Sequence, residues 1–388
     1  MIRNDHFLKD SEDWLISNLA ALRTRYPATE SHTQECRKEW NRRLCEAALI
    51  ALSWPKEYGG RELPTATLIA FHELCARMGA PQPINSIAHS ILAPTLLRFG
   101  TPEQKSRFLP GILNGTEIWC QGYSEPLTGS DLSSVHTRAR PASDGWEVNG
   151  RKIWTTQAHL AKWCFALVRT EPGSKAHRGL SFMLIDMEAQ GVLVEPIRQM
   201  TGEADYNEIV FEAALVTPDN ILGATGEGWK IAMAAAEYER GIYFLPRVIQ
   251  LESELEQLKA ALAQAALPPS EHAIHSHRVQ NLEDQCQIVR WRVDRMLQQV
   301  AQGDTPGING AMLKLTWSEV RQRIWELRLE LLGEQAIIAP NSNGEYAVPS
   351  SVQREFLWSR AETIVAGTSE IQRNIVGERL LGLPKDKA

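Results

Sequence analysis

The chain has 388 residues, with 41 Lys and Arg against 47 Asp and Glu for a net charge of −6. A chain of this length buries roughly three quarters of the surface its unfolded form exposes, enough for about two or three domains. With 43 % hydrophobic and 23 % charged residues, a disordered, collagenous or fibrous coiled-coil chain is excluded. The mild acidity argues against nucleic acid as the main partner, which needs a net basic face. No apolar run approaches the roughly 18 residues needed to cross a bilayer. The polar, acidic first residues lack the apolar centre of a signal peptide. Six scattered cysteines without a CxxC pair fit buried thiols in a reducing cytoplasm, and no metal site is expected.

Along the chain the texture changes twice. Residues 1–118 read as a helical domain. Over 33–51, Cys36, Trp40, Leu44 and Ala47 recur at helical spacing, and a second helix is expected over 67–78. Thr101-Pro102-Glu103-Gln104 reads as a capped helix start. Residues 119–226 read as a β domain, a small antiparallel sandwich or barrel with strands at 163–168, 180–186, 192–197 and 208–211. Over 145–154, Asn149-Gly150 predicts a tight turn between two strands. Residues 227–388 return to the helical period. Long helices over 229–267, 271–302, 309–332 and 352–381 predict a four-helix bundle. The fold class is therefore α+β, mostly α. Helix, then strand, then helix excludes a Rossmann fold, and there is no GxGxxG or Walker loop.

Small and polar residues are densest in Gln121-Gly-Tyr-Ser-Glu-Pro-Leu-Thr-Gly-Ser-Asp131. On its own this is a turn-rich loop whose glycines would let a ligand approach the backbone. Its neighbours make it more. Gly100-Thr-Pro-Glu-Gln-Lys105 and the 121–131 loop resemble the acyl-CoA dehydrogenase family. So do Trp54-Pro-Lys-Glu-Tyr-Gly-Gly60, Asn149-Gly-Arg-Lys-Ile-Trp-Thr-Thr156 and Gly367-Thr-Ser-Glu-Ile-Gln-Arg373. Each motif is weak alone, but all five follow the family order and span nearly the whole chain.

The resemblance implies FAD, an acyl-thioester substrate and α,β-dehydrogenation. A carboxylate would remove a proton beside the thioester carbonyl as hydride leaves the β-carbon for the flavin. An α-C–H is a weak acid, so the carbonyl must be polarised by preorganised donors. Carried over residue by residue, Gln121, Tyr123 and Ser124 line the flavin ring and its edge. Gly129 and Ser130 meet the flavin phosphates or the thioester arm. Trp154 and Thr156 lie against the isoalloxazine, and Thr368 and Glu370 contact its phosphate and ribose region.

The departures from the family pattern are specific. Many members carry the catalytic glutamate directly before the C-terminal Gly-Thr, where this chain has Ala366. A subset places the base before an arginine in the first long helix after the β domain, which Glu239-Arg240 matches. Glu239 is thus the expected base, with Ser130 and Arg240 toward the substrate. The Ala366 backbone N–H would still bond the thioester carbonyl, and its small side chain would admit a branched, cyclic or bulky acyl group. The family's Arg-x-x-Phe-Gly element has only Arg278 as a weak substitute. Its Gln-x-Leu-Gly-Gly element reads Glu330-Leu-Leu-Gly-Glu334, leaving Gly333 as the single retained glycine.

The leading reading is an acyl-CoA dehydrogenase that passes electrons to an electron-transfer flavoprotein. Its thioester is carried by coenzyme A or a carrier protein. A same-fold flavin oxidase or monooxygenase is a second reading. A third is a non-catalytic or half-site subunit of a heteromer. A homodimer or tetramer is expected, with a heteromer as the alternative.

Overall fold

The computed structural model describes residues 4–27, 33–239, 244–338 and 349–385. They form two compact units, each taken by itself below.

The first unit opens on α1 (Asp5–Arg25), whose start is capped by the Asn4 side chain accepting from the Phe7 N–H. Leu8, Leu15, Leu19 and Leu22 fall on one face and are buried. In α2 (Gln34–Glu46) the buried stripe is Cys36, Trp40 and Leu44, as the spacing predicts. α3 (Thr65–Arg77) follows, and a π-helical turn at Ala88–Leu92 leads into α4 (Ala93–Phe99). α5 (Pro102–Asn114) starts at a reciprocal cap between Thr101 and Gln104, and Gly115 in the left-handed region ends it. The Gln104 amide also donates to the Asp219 and Ile221 carbonyls at 2.7 and 2.8 Å, tying the helix to the β region.

Eight strands follow: β1 (Trp119–Gly122), β2 (Arg138–Ala142), β3 (Gly145–Thr156), β4 (Trp163–Arg169), β5 (Leu180–Asp186), β6 (Val192–Ile197), β7 (Tyr206–Val216) and β8 (Ile221–Leu222). They pair in the order β6-β7-β3-β2-β4-β5-β8, with β1 alongside β4. Most pairs are antiparallel, but β1 and β2 each run parallel to β4, so the sheet is mixed. The expected Asn149-Gly150 turn is corrected: β3 runs straight through it, and the hairpin closes at 143–144 instead. Gly150 has φ +148° at a register shift against β7, and a Cβ there would lie 2.6 Å from the Thr137 Cα. The dipeptide therefore marks a bulge with a close backbone approach.

α6 (Gly228–Glu239) closes this unit, burying Ile231, Ala232 and Ala235 in the same core as Leu180 and Phe182. The aromatic centre of that core is Phe108, Trp119 and Trp163, with ring centroids 5.1 to 5.5 Å apart.

The second unit holds α7 (Leu245–Gln264), α8 (Pro269–Ala301), α9 (Gly307–Glu330), α10 (Ser351–Glu362) and α11 (Ser369–Arg379). Two expected helices are corrected. The segment 229–267 is α6 and α7, with 240–243 outside the described residues. The segment 352–381 breaks at 363–368, where Ala366 and Gly367 have φ +55° and +90° and cannot continue a right-handed helix. α9 packs against α7, α8, α10 and α11. That central place explains why Leu313, Trp317, Ser318, Val320, Arg321, Ile324, Trp325 and Leu327 are all buried, across about half of its circumference. Arg321 is 2 % exposed and donates to three carboxylates, Glu254, Glu355 and Glu362.

Candidate active site

The 121–131 loop leaves β1 and turns at once. Glu125 and Thr128 exchange both backbone hydrogen bonds, at 2.9 and 3.0 Å, which forces a four-residue turn. Gln121, Tyr123 and Ser124 are half-buried on its near side, while Gly129 and Ser130 are exposed at its far end. Tyr123 packs edge-on against Phe165 and Phe182. A Cβ on Gly129 would meet nothing within 4 Å, so the backbone is open to an incoming group.

Glu125 itself points inward and is not among the residues expected from the sequence. Its Oε1 lies 2.8 Å from the Lys152 Nζ, and the two side chains are 4 % and 0 % exposed. The same carboxylate accepts from the His136 and Thr137 N–H groups. Burial opposes its ionisation, but the Lys152 charge and these hydrogen bonds outweigh that and hold the carboxyl below its usual range. The signal was a lysine at an inward position of an alternating strand, which demands a buried carboxylate.

Two residues along β3, Trp154 is 55 % exposed and has φ +59°. A bulky residue in the left-handed region is uncommon and costs roughly 1–3 kcal/mol unless its surroundings enforce it. Here the Ile153 N–H donates to the Ser124 carbonyl at 2.9 Å, fastening the strand to the loop. The Trp154 and Tyr206 rings meet in a T-shaped contact with centroids 6.2 Å apart. Thr156 is half-buried at the strand end, beside the buried Thr155. The first unit thus gathers Gln121, Tyr123, Ser124, Gly129, Ser130, Trp154 and Thr156 on one loop and one strand end.

In the second unit the break between α10 and α11 is held from behind. The Gln372 amide donates to the Ala366 and Gly367 carbonyls at 3.0 and 3.2 Å, and the buried Lys314 ammonium donates to Gly367 at 2.7 Å. Among the described residues the Ala366 N–H has no acceptor. Thr368 caps α11 by accepting from the Ile371 N–H. The backbone N–H and the Thr368 hydroxyl hold the exposed Glu370 carboxyl below its usual range. Thr368 and Glu370 border a cavity of about 440 Å³ that also meets Glu319, Arg323, Glu326 and Arg373. Its arginines are already partnered: Arg373 and Arg323 both reach Glu319.

Gly333 stands apart, at φ +54° just beyond α9, with open space around its Cα. Beside it Arg278 pairs with Glu330, so the two divergent elements of the family pattern meet each other. Glu239 ends α6, but its side chain and all of Arg240 lie outside the described residues. No metal-holding cluster and no helix long and apolar enough to cross a membrane occurs among the described residues.

A flavin needs an accessible ring platform, hydroxyls or N–H groups for its edge, and donors for its phosphates. Taken by itself, the first unit offers the exposed Trp154, Ser124 and Thr156 for the first two needs. The second unit, taken by itself, offers the N-terminus of α11, capped by Thr368, for the third. These residues fit FAD.

Comparison with known proteins agrees along the whole chain. Family models for the acyl-CoA dehydrogenase N-terminal, middle and C-terminal domains match residues 17–116, 120–214 and 226–381. Acyl-CoA dehydrogenase IpdE1 of Mycobacterium tuberculosis is 40 % identical, over 98 % of both chains. Its Mycolicibacterium smegmatis namesake is 38 % identical over 100 % of this chain and 99 % of its own. Among solved structures, the ChsE4-ChsE5 complex from Mycobacterium tuberculosis superposes with a TM-score of 0.82 at 26 % identity over all of both chains. The Tcur3481-Tcur3483 steroid ACAD shares the fold, at TM-score 0.83 and 24 % identity over 99 % of both. The chain belongs to the acyl-CoA dehydrogenase family, flavoproteins that use FAD to dehydrogenate acyl-CoA.

Proposed function

We propose that this enzyme desaturates a bulky, ring-bearing acyl-CoA at its α,β-bond, with Glu239 as base and electrons leaving for an electron-transfer flavoprotein. The observation that carries the reading is Ala366. At the position where many relatives hold the base, the chain has a methyl group on a left-handed backbone, fastened by Gln372 and Lys314. A methyl there cannot take a proton, but it leaves space for a wide acyl group. Glu239, in front of Arg240, is the carboxylate in the alternative place. The name of one structural neighbour, a steroid ACAD, points to the same kind of substrate.

The chain's own residues then divide the work. The Ala366 N–H donates to the thioester carbonyl, stabilising the negative charge that develops there when the α-proton leaves. Glu239 takes that proton. Ser130 and Arg240 hold the thioester arm. Trp154, Ser124, Thr156, Gln121 and Tyr123 bind the cofactor ring, and Gly129, Gly333, Thr368 and Glu370 border its remainder. FAD, when bound, supplies the two-electron acceptor that this chemistry requires.

A second element of the reading is a heteromer. Arg278 is engaged by Glu330, and Glu334 replaces a family glycine, so the surface that would hold a neighbour's adenine end is occupied by the chain's own charges. A different partner subunit then completes the assembly, as the complex of two differently named chains in ChsE4-ChsE5 suggests. Anaerobic bleaching of the bound flavin by a panel of acyl-CoAs tests the substrate. Ring-bearing acyl chains should bleach it fastest, and a preference for short straight chains would overturn the assignment.

A further inference from the structure

The buried ion pair of Glu125 and Lys152 has no part in the reading above. Lys152 lies on β3 and is fully buried. Its ammonium has three protons and three acceptors: the Tyr123 carbonyl at 3.2 Å, Glu125 Oε1 at 2.8 Å and the Leu167 carbonyl at 2.8 Å. The carboxylate spends its remaining capacity on the His136 and Thr137 N–H groups, just before β2. One charge pair therefore ties together the 121–131 loop, the approach to β2, strand β3 and strand β4.

A buried ion pair is a poor way to add stability, because desolvation consumes most of the attraction and apolar side chains of similar volume do as well or better. What it supplies is direction. Each hydrogen bond fixes an angle that packing alone leaves free. The residues fixed are neighbours of the proposed flavin contacts. Tyr123 and Ser124 immediately precede Glu125, and Trp154 lies two positions past Lys152. The left-handed Trp154 backbone needs surroundings that over-determine it. The lysine and the Ile153-to-Ser124 hydrogen bond provide that on adjacent residues.

We infer that Lys152 and Glu125 are positioning residues of the flavin site: their pair sets the placement of the Tyr123-Ser124 loop relative to Trp154, and so the affinity and orientation of the bound ring. The inference rests on the reading of Ser124 and Trp154 as flavin contacts.

The test uses the full-length chain with any partner subunit that copurifies. Lys152→Met alone strands a buried carboxylate and is expected to fold poorly, so the informative protein is the double variant Lys152→Met/Glu125→Gln, which buries no charge. Thermal melting, FAD titration and visible circular dichroism of the bound flavin are measured together. The double variant should keep a melting curve close to the wild type. Its FAD dissociation constant should rise roughly ten- to a hundredfold, as when partners one layer out from a bound group are removed, with an altered flavin band. Wild-type affinity and an unchanged band would overturn the inference. Loss of the fold in the double variant would also overturn it, making the pair a stability element only. Trp154→Ala is titrated alongside. Unchanged FAD affinity there would overturn the flavin placement itself, whereas unchanged affinity in the double variant alone would overturn only the positioning role.

Discussion

Arg278 on α8 donates to Glu330 at the end of α9, Nη2 to Oε1 3.0 Å, joining the two places where the chain departs from its family's cofactor pattern. This hydrogen bond, with burial opposing it, holds the Glu330 carboxyl below its usual range. Both side chains are more than 40 % exposed, so the pair contributes little to folding. Arg278→Ala should therefore cost less than about 1 kcal/mol in a denaturant titration. Because the guanidinium is already engaged, FAD affinity should stay within about threefold of the wild type, under ~0.7 kcal/mol. A much larger loss of FAD would mean that Arg278 leaves Glu330 to bind the cofactor.

Trp154 combines exposure with a strained backbone, which separates its two contributions. Trp154→Gly loses the Tyr206 ring contact and the buried part of the tryptophan, roughly 2–3 kcal/mol, and relieves a left-handed conformation worth roughly 1–2 kcal/mol to a residue with a Cβ. The flavin-free protein should therefore lose no more than roughly 2 kcal/mol of stability, while FAD binding weakens by roughly 1–3 kcal/mol, the scale of one aromatic stacking contact. Parallel calorimetry and FAD titration check both. A variant that keeps the wild-type FAD affinity would contradict the assignment.

A carboxylate at position 366 should change the substrate. Ala366→Glu places a carboxylate where the wide acyl group is proposed to lie. Its backbone stays in the left-handed region, at a cost no greater than alanine already bears. Activity toward ring-bearing acyl-CoAs should fall by at least about tenfold, or ~1.4 kcal/mol in the barrier, with a smaller effect on short straight chains. Steady-state kinetics on both substrate classes reads the split.

Stability should also respond to pH through the carboxylates around Arg321. Burial, which outweighs the shared arginine, raises the Glu362 carboxyl above its ordinary value, and the same holds for Glu254. A carboxyl raised in the folded state binds its proton more tightly there than in the unfolded chain. Its favourable contribution is therefore present at low pH and lost as pH rises through the folded value. Glu362→Gln, a neutral mimic, should melt above the wild type near about pH 7, and the gap should narrow toward about pH 4.5. A gap that widens on acidification would contradict this.

Local signals carried much of the fold. Thr101 and Gln104 cap α5 as their spacing announces, and Cys36, Trp40 and Leu44 bury the expected face of α2. Asn149-Gly150 misled because glycine serves a bulge and a tight turn equally well. The choice was made by Thr137, whose backbone approaches too closely for any Cβ. The long last helix was broken by Ala366 in the left-handed region, a conformation that alanine's own preference does not announce. Of the site, motif order named the loop and the strand end. It did not show the Glu125–Lys152 pair, 27 positions apart, or Arg278–Glu330, 52 apart, because such partners are chosen by strand register and helix packing. Of the twelve tryptophans, Trp119 and Trp163 are core, while Trp154 alone stands on a left-handed backbone.

Glu239 is the proposed base. Anaerobic stopped-flow mixing of a ring-bearing acyl-CoA with the flavin-loaded wild type and with Glu239→Gln tests it directly. The variant should keep its yellow flavin and its affinity for acyl-CoA. Its bleaching should slow by at least about a hundredfold, or ~2.7 kcal/mol, within the range that a general base contributes. Bleaching of Glu239→Gln at the wild-type rate would contradict it.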